Sequence, residues 1–391
     1  MFRAFGLGLV KVGIRAAFAG MVVCGPAESQ PTQGLAWTFV APEPLKIADW
    51  QRRWQTAILN EARARYCDTQ MGEEIGWLMA PVLDGFYFGY LVTQDTRWVD
   101  RVIDWTDSWV KRGLTEPDGF IGWPKVGAAG TDVDDLDRYD ADSLLGEAMA
   151  LRPVLLMAAL IRRTPALNVR YGRTADGYIK LAQAIFQKWE TRGAWRATGA
   201  GTISVVLPFG INRNTGTWTD GYAGRNAPGR GFSHPDNKAN LVASWLLAMF
   251  DATGDGVYRD RADSWFRLMQ SRMTIAPAGT YRIWNYWEPA GAWDYRANGT
   301  PKHWIGVHNN PGYYAIDAEA IVGAYEHGVV FSADDMRRLI ATASATSRLW
   351  PALAPYDRGL QQRTEATLPP DSWAGLWLVP WYLSLSGVGP R

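Results

Sequence analysis

Apolar residues recur at helical spacing along most of the chain, and this periodicity limits the fold more than any other feature. Long stretches carry apolar side chains on one face, and Gly, Pro and Asp separate one stretch from the next. The pattern predicts helices near 49–66, 73–92, 97–112, 141–163, 174–192, 237–252, 257–273, 313–328, 333–346 and 371–385. One short β-hairpin is predicted from Thr202 to Trp218, turning at Asn214-Thr215-Gly216. The chain is therefore predicted to be all-α.

A repeat at an offset of 160 residues indicates that the helices form hairpins in series. The matching pairs are Thr93 and Thr253, Asp95 and Asp255, Trp98 and Tyr258, and Asp100-Arg101 and Asp260-Arg261. Each copy is typical of a helix end, a tight turn and a capped second helix. Hairpins in series bury their apolar faces in a closed or a stacked arrangement, so an α/α toroid competes with an open solenoid. Irregular hairpin lengths and long aromatic-rich loops favour the toroid, with its loops gathered around one funnel or tunnel.

The N-terminus has the order of a signal peptide. Arg3, Lys11 and Arg15 precede the apolar run 16–23, and small residues follow it as far as Ala27. We therefore expect a signal peptide over residues 1–27 and one catalytic domain over residues 28–391. The protein is expected to be secreted or periplasmic.

Cys24 provides an alternative, which is processing as a lipoprotein, but Val22-Val23 before it fits that reaction poorly. No later stretch is expected to reach the roughly 20 apolar residues of a membrane span. In the processed chain Cys67 would be the one remaining cysteine, so no intrachain disulfide is expected. Cys67 itself is interpreted as a small buried hydrophobe, and the protein as a monomer.

Charge and aromatic content narrow the choice of partner. The chain has 40 Lys and Arg and 39 Asp and Glu, a net charge of +1, without a long basic run. A nucleic-acid partner is therefore not expected, because phosphate recognition leaves a basic stripe or tail. The 21 Trp offer flat apolar faces that suit pyranose rings, although most of them are expected to pack in the core.

Two long loops, at about 194–236 and 274–312, carry most of the candidate functional residues, and loops of this length are usually functional or disordered. His234 lies at the end of the first loop and opens a helix. Each candidate by itself also fits ordinary packing, but their concentration in loops favours a site. The candidate substrate-binding residues are Tyr139, Asn237, Arg282, Trp287, Arg296, His303, His308 and Tyr314.

A set of His, Tyr, Asn and Arg residues suits β-elimination in a uronate polymer. That reaction removes the C5 proton beside a carboxylate, so Arg, Asn or a protonated His must neutralise the carboxylate. A base takes the proton, and an acid protonates the departing glycosidic oxygen. A tyrosine whose pKa is lowered by a neighbouring Arg can do both, and Arg296 directly follows Tyr295. Arg282, Arg296 and Lys302 can focus a local positive field on an acidic polysaccharide.

Three segments resemble a known family. They are His234-Pro-Asp-Asn237-Lys-Ala-Asn240, Trp293-Asp294-Tyr295 and His303-Trp-Ile-Gly-Val-His308. The chain resembles α/α-toroid polysaccharide lyases, and is most similar to the alginate and glucuronan lyases of polysaccharide lyase family 38. The resemblance implies metal-independent β-elimination without a cofactor. It also implies His234 as the histidine of a His/Tyr pair, Asn237 as a carboxylate neutraliser, and Tyr295 or Tyr286 as the acid/base.

An acidic run, formed by Asp132, Asp134, Asp135, Asp137, Asp140 and Asp142, has several interpretations. A calcium loop is disfavoured, because the sixth position is not Gly and Ser143 replaces the closing Glu. Paired carboxylates in the 132–142 loop would instead make the protein a glycoside hydrolase on the same toroid. A solvated loop capping the next helix is a third interpretation. In a fourth, Tyr139, Asp142 and Glu147 line the funnel and contact substrate.

Two further functions stay open. A non-catalytic glycan-binding protein would account for the Trp content alone. A uronate epimerase would begin with the same proton abstraction at C5 as a lyase does.

Overall fold

Apolar helical stretches separated by turn residues produce a mostly helical protein, as predicted. The computed structural model describes Leu35 and residues 39–126, 139–207, 210–212 and 231–386. Residues Thr32–Arg391 form one compact unit. The α-helices in the described ranges are α1 (Pro44–Glu61), α2 (Tyr66–Thr69), α3 (Ala80–Thr93), α4 (Arg97–Lys111), α5 (Leu144–Arg163), α6 (Pro165–Thr191), α7 (Asp236–Thr253), α8 (Gly256–Arg272), α9 (Pro311–Glu326), α10 (Ala333–Ala345), α11 (Arg358–Thr367) and α12 (Gly375–Leu385).

The helices pack in two layers. Helices α12, α3, α5, α7 and α9 form a row in which each packs against the next. Helices α4, α6, α8 and α10 each pack on the row helix that precedes them in sequence. The apolar stripe of α4 shows how an outer helix is held, because its buried residues Trp98, Val102, Trp105 and Trp109 follow helical spacing. Helix α5 is instead buried on most of its surface, since α3, α6 and α7 surround it.

The two turns of the predicted repeat share the same hydrogen bonds. In each, the Thr hydroxyl donates to the carbonyl four residues back, and the next residue is left-handed. The Asp carboxylate then accepts the backbone N–H two residues on, and in the second turn this Asp is the N-cap of α8. The turns are Thr93-Gln94-Asp95 and Thr253-Gly254-Asp255. The predicted repeat is therefore confirmed at the α3–α4 and α7–α8 hairpins.

Short antiparallel strands lie between the helices. They are β1 (Leu114–Thr115), β2 (Ile121–Gly122), β3 (Lys125–Val126), β4 (Tyr139–Ala141), β5 (Trp195–Ala197), β6 (Thr202–Val206), β7 (Gly210–Asn212) and β8 (Phe232–Ser233). The sheets have the orders β1-β2, β3-β4-β7 and β5-β6-β8.

The predicted hairpin from Thr202 to Trp218 has its turn outside the described residues, and the two strands described within its range do not pair with each other. Strand β6 pairs with β5 and β8, whereas β7 pairs with β4. A tight turn at Thr198 explains the difference, because the Thr198 hydroxyl accepts the N–H groups of Ala200 and Gly201 and brings β6 back against β5.

Proline accounts for two of the helix boundaries that differ from prediction. Helices α1 and α6 begin at Pro44 and Pro165, earlier than expected. At the first helical position the missing N–H of proline costs nothing, so the residue starts a helix there instead of breaking it. Helix α11 was not predicted, because its sequence is largely polar and shows little periodicity. Cys67 is free and buried, as predicted.

Two segments, Ile75–Thr93 and Leu144–Arg163, are long and apolar enough to cross a membrane, although none was expected from the sequence. Within the protein, 67% and 83% of their most apolar windows are buried, as in helices of a core. The first segment begins as a π-helix, Ile75–Met79, and continues as α3. The predicted signal peptide lies outside the described residues.

Candidate functional site

His234 lies between β8 and α7 and is held by β6. Its backbone N–H donates to the Ser204 carbonyl at 3.0 Å, and its Nδ1 lies 3.0 Å from the Ser204 hydroxyl. Only 3% of His234 is exposed. Burial lowers the pKa of His234 to about 3, and the positive charge of Lys238 acts in the same direction. The imidazole is therefore neutral at neutral pH and cannot neutralise a carboxylate as a cation. The same burial makes it a weak base in this closed conformation.

The neutral state of His234 predicts a fold that loses stability in acid. The unfolded chain binds a proton near pH 6.5, whereas the folded protein binds one only near pH 3. The stability that the neutral imidazole contributes is therefore fully present above pH 6.5. It is lost as the pH falls from about 6.5 towards 3, by up to about 1.4 kcal/mol per pH unit. Urea unfolding across this range should show a shallower pH dependence for His234→Gln than for the parent protein. Equal slopes would contradict the burial of a neutral imidazole.

Asn237 lies in the first turn of α7 and is buried without a polar partner. It is 1% exposed, and within the described ranges neither its amide oxygen nor its amide nitrogen has a hydrogen-bond partner. Asn240, one turn further along, is equally buried, but its Nδ2 donates to Asp317 at 2.7 Å and its Oδ1 accepts from Trp265 at 2.8 Å. An unpaired buried amide costs about 1–3 kcal/mol. Stability therefore explains Asn240 but does not explain Asn237.

The resembling segment Trp293-Asp294-Tyr295 fastens the second long loop to β8. The fully buried Asp294 accepts hydrogen bonds from the backbone N–H and the hydroxyl of Ser233, both at 2.7 Å. The Trp293 indole N–H donates to the same hydroxyl at 2.9 Å. Ser233 directly precedes His234 in the chain. These bonds therefore help to fix the position of His234, in addition to its own bonds to Ser204.

Two aromatic residues predicted to bind substrate are part of the core instead. Trp287 is fully buried, and its indole N–H donates to the Ser233 carbonyl at 2.8 Å. Tyr314 is also fully buried; its hydroxyl accepts the His308 N–H at 2.8 Å and donates to the Trp284 carbonyl at 3.2 Å. Neither ring presents a face to a ligand in this conformation, because both are buried.

Four aromatic side chains, called the Tyr286 cluster below, meet beside the start of α7. The Tyr286 ring centroid lies 5.8 Å from that of His303, 4.9 Å from that of His308 and 5.2 Å from that of Tyr313. The Asp236 N–H donates to the Tyr286 carbonyl at 3.0 Å, which attaches the cluster to the first turn of α7. The structure thus joins residues from both long loops. Tyr313 was not among the predicted site residues, since nothing in the sequence distinguished it from the neighbouring tyrosine.

The pKa of Tyr286 is raised. Burial is the main cause, and the acidic groups of Tyr313 and Glu73 add to it. The phenol therefore stays protonated at neutral pH and carries a proton that it can donate. Among the described residues, no arginine is one of the main groups that shift the pKa of Tyr286.

The other predicted residues lie apart from this cluster. The Arg296 guanidinium donates to the Pro301 carbonyl at 2.5 Å and so stabilises its own loop. Arg282 and Tyr295 are exposed. In the described part of the chain, no hydrogen bond or ring contact joins these side chains to the Tyr286 cluster. Tyr139 lies in β4, and its side chain is outside the described residues.

Asp142 and Glu147 do not line a funnel, contrary to one interpretation of the sequence. Both are buried and bind Lys188, whose ammonium group donates to Asp142 at 2.7 Å and to Glu147 at 2.5 Å. Arg192 also donates to Asp142, at 2.9 Å. Among the described residues, the buried ion pairs joined in this way are called the ion cluster below, and its members are Glu116, Asp118, Asp142, Glu147, Lys188 and Arg192.

Within the ion cluster the carboxyl groups have different pKa values. Burial opposes the charge on Asp142, but Lys188 and Arg192 overcome it and lower the pKa of Asp142. Burial raises the pKa of Glu116 to about 8 and also raises that of Glu147, and the charge of Asp142 adds to both. Asp142 is therefore an ionised carboxylate paired with two cations, which disfavours it as the acid of a glycoside hydrolase.

A small cavity of about 10 Å³ separates His234 from the ion cluster, with Asp142 and Trp189 among its lining residues. It is large enough for about one water molecule, which is far less than a sugar ring. An open groove of about 480 Å³ lies elsewhere, between α1 and the segment before α12, and is lined in part by Arg53 and Trp373. That groove contains none of the predicted site residues.

Metal binding was not expected. Within the described ranges, no group of three or more His, Cys, Asp or Glu residues is placed to hold a metal ion, and residues 131–138 of the acidic run lie outside those ranges. Comparison of the chain with protein families, with curated proteins and with solved structures gives no match.

Proposed function

We propose that the protein is a polysaccharide lyase that cleaves a uronate-containing polysaccharide, of glucuronan or alginate type, by β-elimination without a metal. One observation carries the proposal: the start of α7 holds a neutral buried imidazole and an unpaired buried amide, and its first turn is hydrogen-bonded to the backbone of a tyrosine whose phenol is protonated. These groups are His234, Asn237 and Tyr286. A base, a carboxylate ligand and an acid are the three functions that β-elimination requires.

We further propose that the helices close into an α/α toroid. The row of α12, α3, α5, α7 and α9, each with an outer partner helix, supports this arrangement. An ion pair also supports it, because Arg152 of α5 donates to Asp84 of α3 at 3.2 Å and to Glu319 of α9 at 3.3 Å. One side chain thus joins three helices of the row. The proposed secretion of the protein depends on the N-terminal sequence alone.

In the proposed reaction, Asn237 donates its amide N–H to the carboxylate at C5 and stabilises the negative charge that develops there. His234 accepts the C5 proton. The electron pair of the C5–H bond forms the C4=C5 double bond, and the bond from C4 to the glycosidic oxygen breaks. Tyr286 then protonates that oxygen. Because the cavity beside His234 holds about one water molecule, its walls must open for the sugar to enter.

Incubation with polyuronates tests the proposal directly. Glucuronan, alginate and related polymers should give products with the ultraviolet absorbance of a C4=C5 double bond. Release of reducing sugar without that absorbance would identify a hydrolase. Solvent deuterium at C5 without chain cleavage would identify an epimerase, and binding without any turnover a glycan-binding protein. Each of these three results would contradict the lyase proposal.

Tyr286→Phe should lower the rate of cleavage by about 10²–10⁴-fold, the usual effect of removing a general acid. The ring stays in the aromatic cluster, so the free energy of unfolding should change little. Tyr295→Phe is the matched comparison, because the exposed Tyr295 is the rival acid from the sequence. Initial rates of absorbance increase should be near the parent value for Tyr295→Phe. A large loss in that variant, with activity kept in Tyr286→Phe, would reverse the assignment.

A further inference from the structure

An exposed apolar segment borders the Tyr286 cluster. The side chains of Trp304, Ile305 and Val307 are 52%, 44% and 44% exposed, although they follow one another in a single loop. Other tryptophans of the same loop are buried, such as Trp284 and Trp287, and their indole N–H groups are hydrogen-bonded. Neighbouring apolar side chains left in solvent commonly mark a binding site. Trp304 thus differs from the tryptophans that fold the loop.

The position of the Trp304 ring depends on a glycine. Gly306 has φ +153°, in the region that favours glycine, and a Cβ atom there would lie 2.6 Å from the Trp304 ring. The bare backbone of Gly306 therefore lets the indole lie against it. On another side His308 meets the indole at 6.1 Å between ring centroids, with an angle of 80° between the planes. These contacts position the ring and leave half of the side chain open to a ligand.

Trp304 is connected to the proposed catalytic groups through His308. The His308 ring contacts Trp304 on one side and Tyr286, at 4.9 Å, on the other. The Gly306 carbonyl also accepts the Tyr286 N–H at 2.7 Å, so the same glycine positions the Trp304 ring and the proposed acid, Tyr286. A polymer cleaved beside Tyr286 would extend from the site across neighbouring surface. Trp304 is part of that surface.

We propose that Trp304 is a stacking platform for a pyranose ring of an acidic polysaccharide, next to the ring that is cleaved. The C–H groups on one face of a pyranose pack well on an indole, and a rigid aromatic ring loses little entropy on binding. The inference rests on the proposed function, since it places the platform beside the lyase site. It adds a binding residue that contacts the polymer and takes no part in proton transfer.

Equilibrium binding tests the platform separately from turnover. Binding of glucuronan and of alginate is measured by affinity electrophoresis on the Tyr286→Phe background, so that the polymer survives. Adding Trp304→Ala should weaken binding about tenfold, because tryptophans that a ligand covers on binding are frequent hot spots, while Trp304→Phe should keep most of the affinity. Trp373→Ala is the matched control, since Trp373 is another exposed tryptophan (38%) and lies in the groove between α1 and the segment before α12. It should bind as the background does.

Several results would overturn the proposal. They are unchanged binding by Trp304→Ala, an equal loss in Trp373→Ala, or no binding of either polymer by the background protein. Thermal unfolding of each variant shows whether a loss comes from the fold. The two proposals fail differently. If the polymers bind through Trp304 but the parent protein never cleaves them, the lyase proposal fails and the platform stands. If cleavage occurs and Trp304→Ala leaves KM unchanged, the platform fails and the lyase proposal stands.

Discussion

Asn237→Leu is expected to lower kcat by about 10²–10³-fold while leaving the protein as stable as before or more stable. The loss of activity follows from removing a donor that stabilises charge in the transition state. The stability should be unchanged or raised by about 1 kcal/mol, because a buried amide without partners is replaced by an apolar side chain of similar size. Initial rates on the preferred polyuronate and urea unfolding curves measure the two effects.

Asn240→Leu is the matched control, because it is the same substitution one turn along the same helix. Here the change removes the acceptor of the Trp265 indole and one of the two donors to Asp317, which keeps the Trp284 indole, so the protein should lose about 1–3 kcal/mol of stability. Burial raises the pKa of Asp317 to about 8, with Asp236 adding to the effect, so this carboxyl group depends on its remaining donors. If Asn237→Leu destabilised the protein as much as Asn240→Leu, the amide of Asn237 would be structural and the proposed role would be wrong.

Lys188→Met should destabilise the fold by about 3–5 kcal/mol. Lys188 is fully buried, and its ammonium group lies between the carboxylates of Asp142 and Glu147. Without it these two acidic groups face each other in the protein interior with only part of their charge compensated. Urea unfolding at neutral pH measures the loss.

Lys180→Met controls for the loss of a lysine from α6, because Lys180 is exposed on the same helix. It should change the free energy of unfolding by no more than about 0.5 kcal/mol. Adding Glu147→Gln to Lys188→Met should recover part of the stability, since one unpaired acid is then removed. A cost for Lys188→Met no larger than that for Lys180→Met would show that the ion cluster does not hold the fold.

Asp142 connects the ion cluster to the proposed site. Asp142 directly precedes the N-cap of α5, and its Oδ1 accepts the Trp123 N–H at 2.9 Å. The same carboxylate lines the small cavity beside His234. Asp142 therefore lines this cavity as a carboxylate paired with Lys188 and Arg192, and this pairing accounts for an acidic residue that the sequence alone had suggested as a substrate contact.

Local sequence was sufficient for the helices and for their tightest turns. The hydrogen bonds at Thr93 and Thr253 span at most four residues, so the same Thr-x-Asp pattern produces the same turn in two places. The start of α7 was equally visible, and the position of His234 and Asn237 there drew attention to both. These features depend on neighbours along the chain, which the sequence shows directly.

The tertiary structure decided which polar groups are charged, paired or left alone. His234 and Tyr286 owe their pKa shifts mainly to burial, and Asp142 owes its ionised state to cations about 50 residues away in sequence. Asn237 and Asn240 are identical in type and adjacent on one helix face, yet only Asn240 meets partners from other segments. Desolvation and long-range pairing arise only when distant segments pack together. The sequence by itself therefore determined the helices and their order, whereas the packed structure determined the chemistry of the side chains between them.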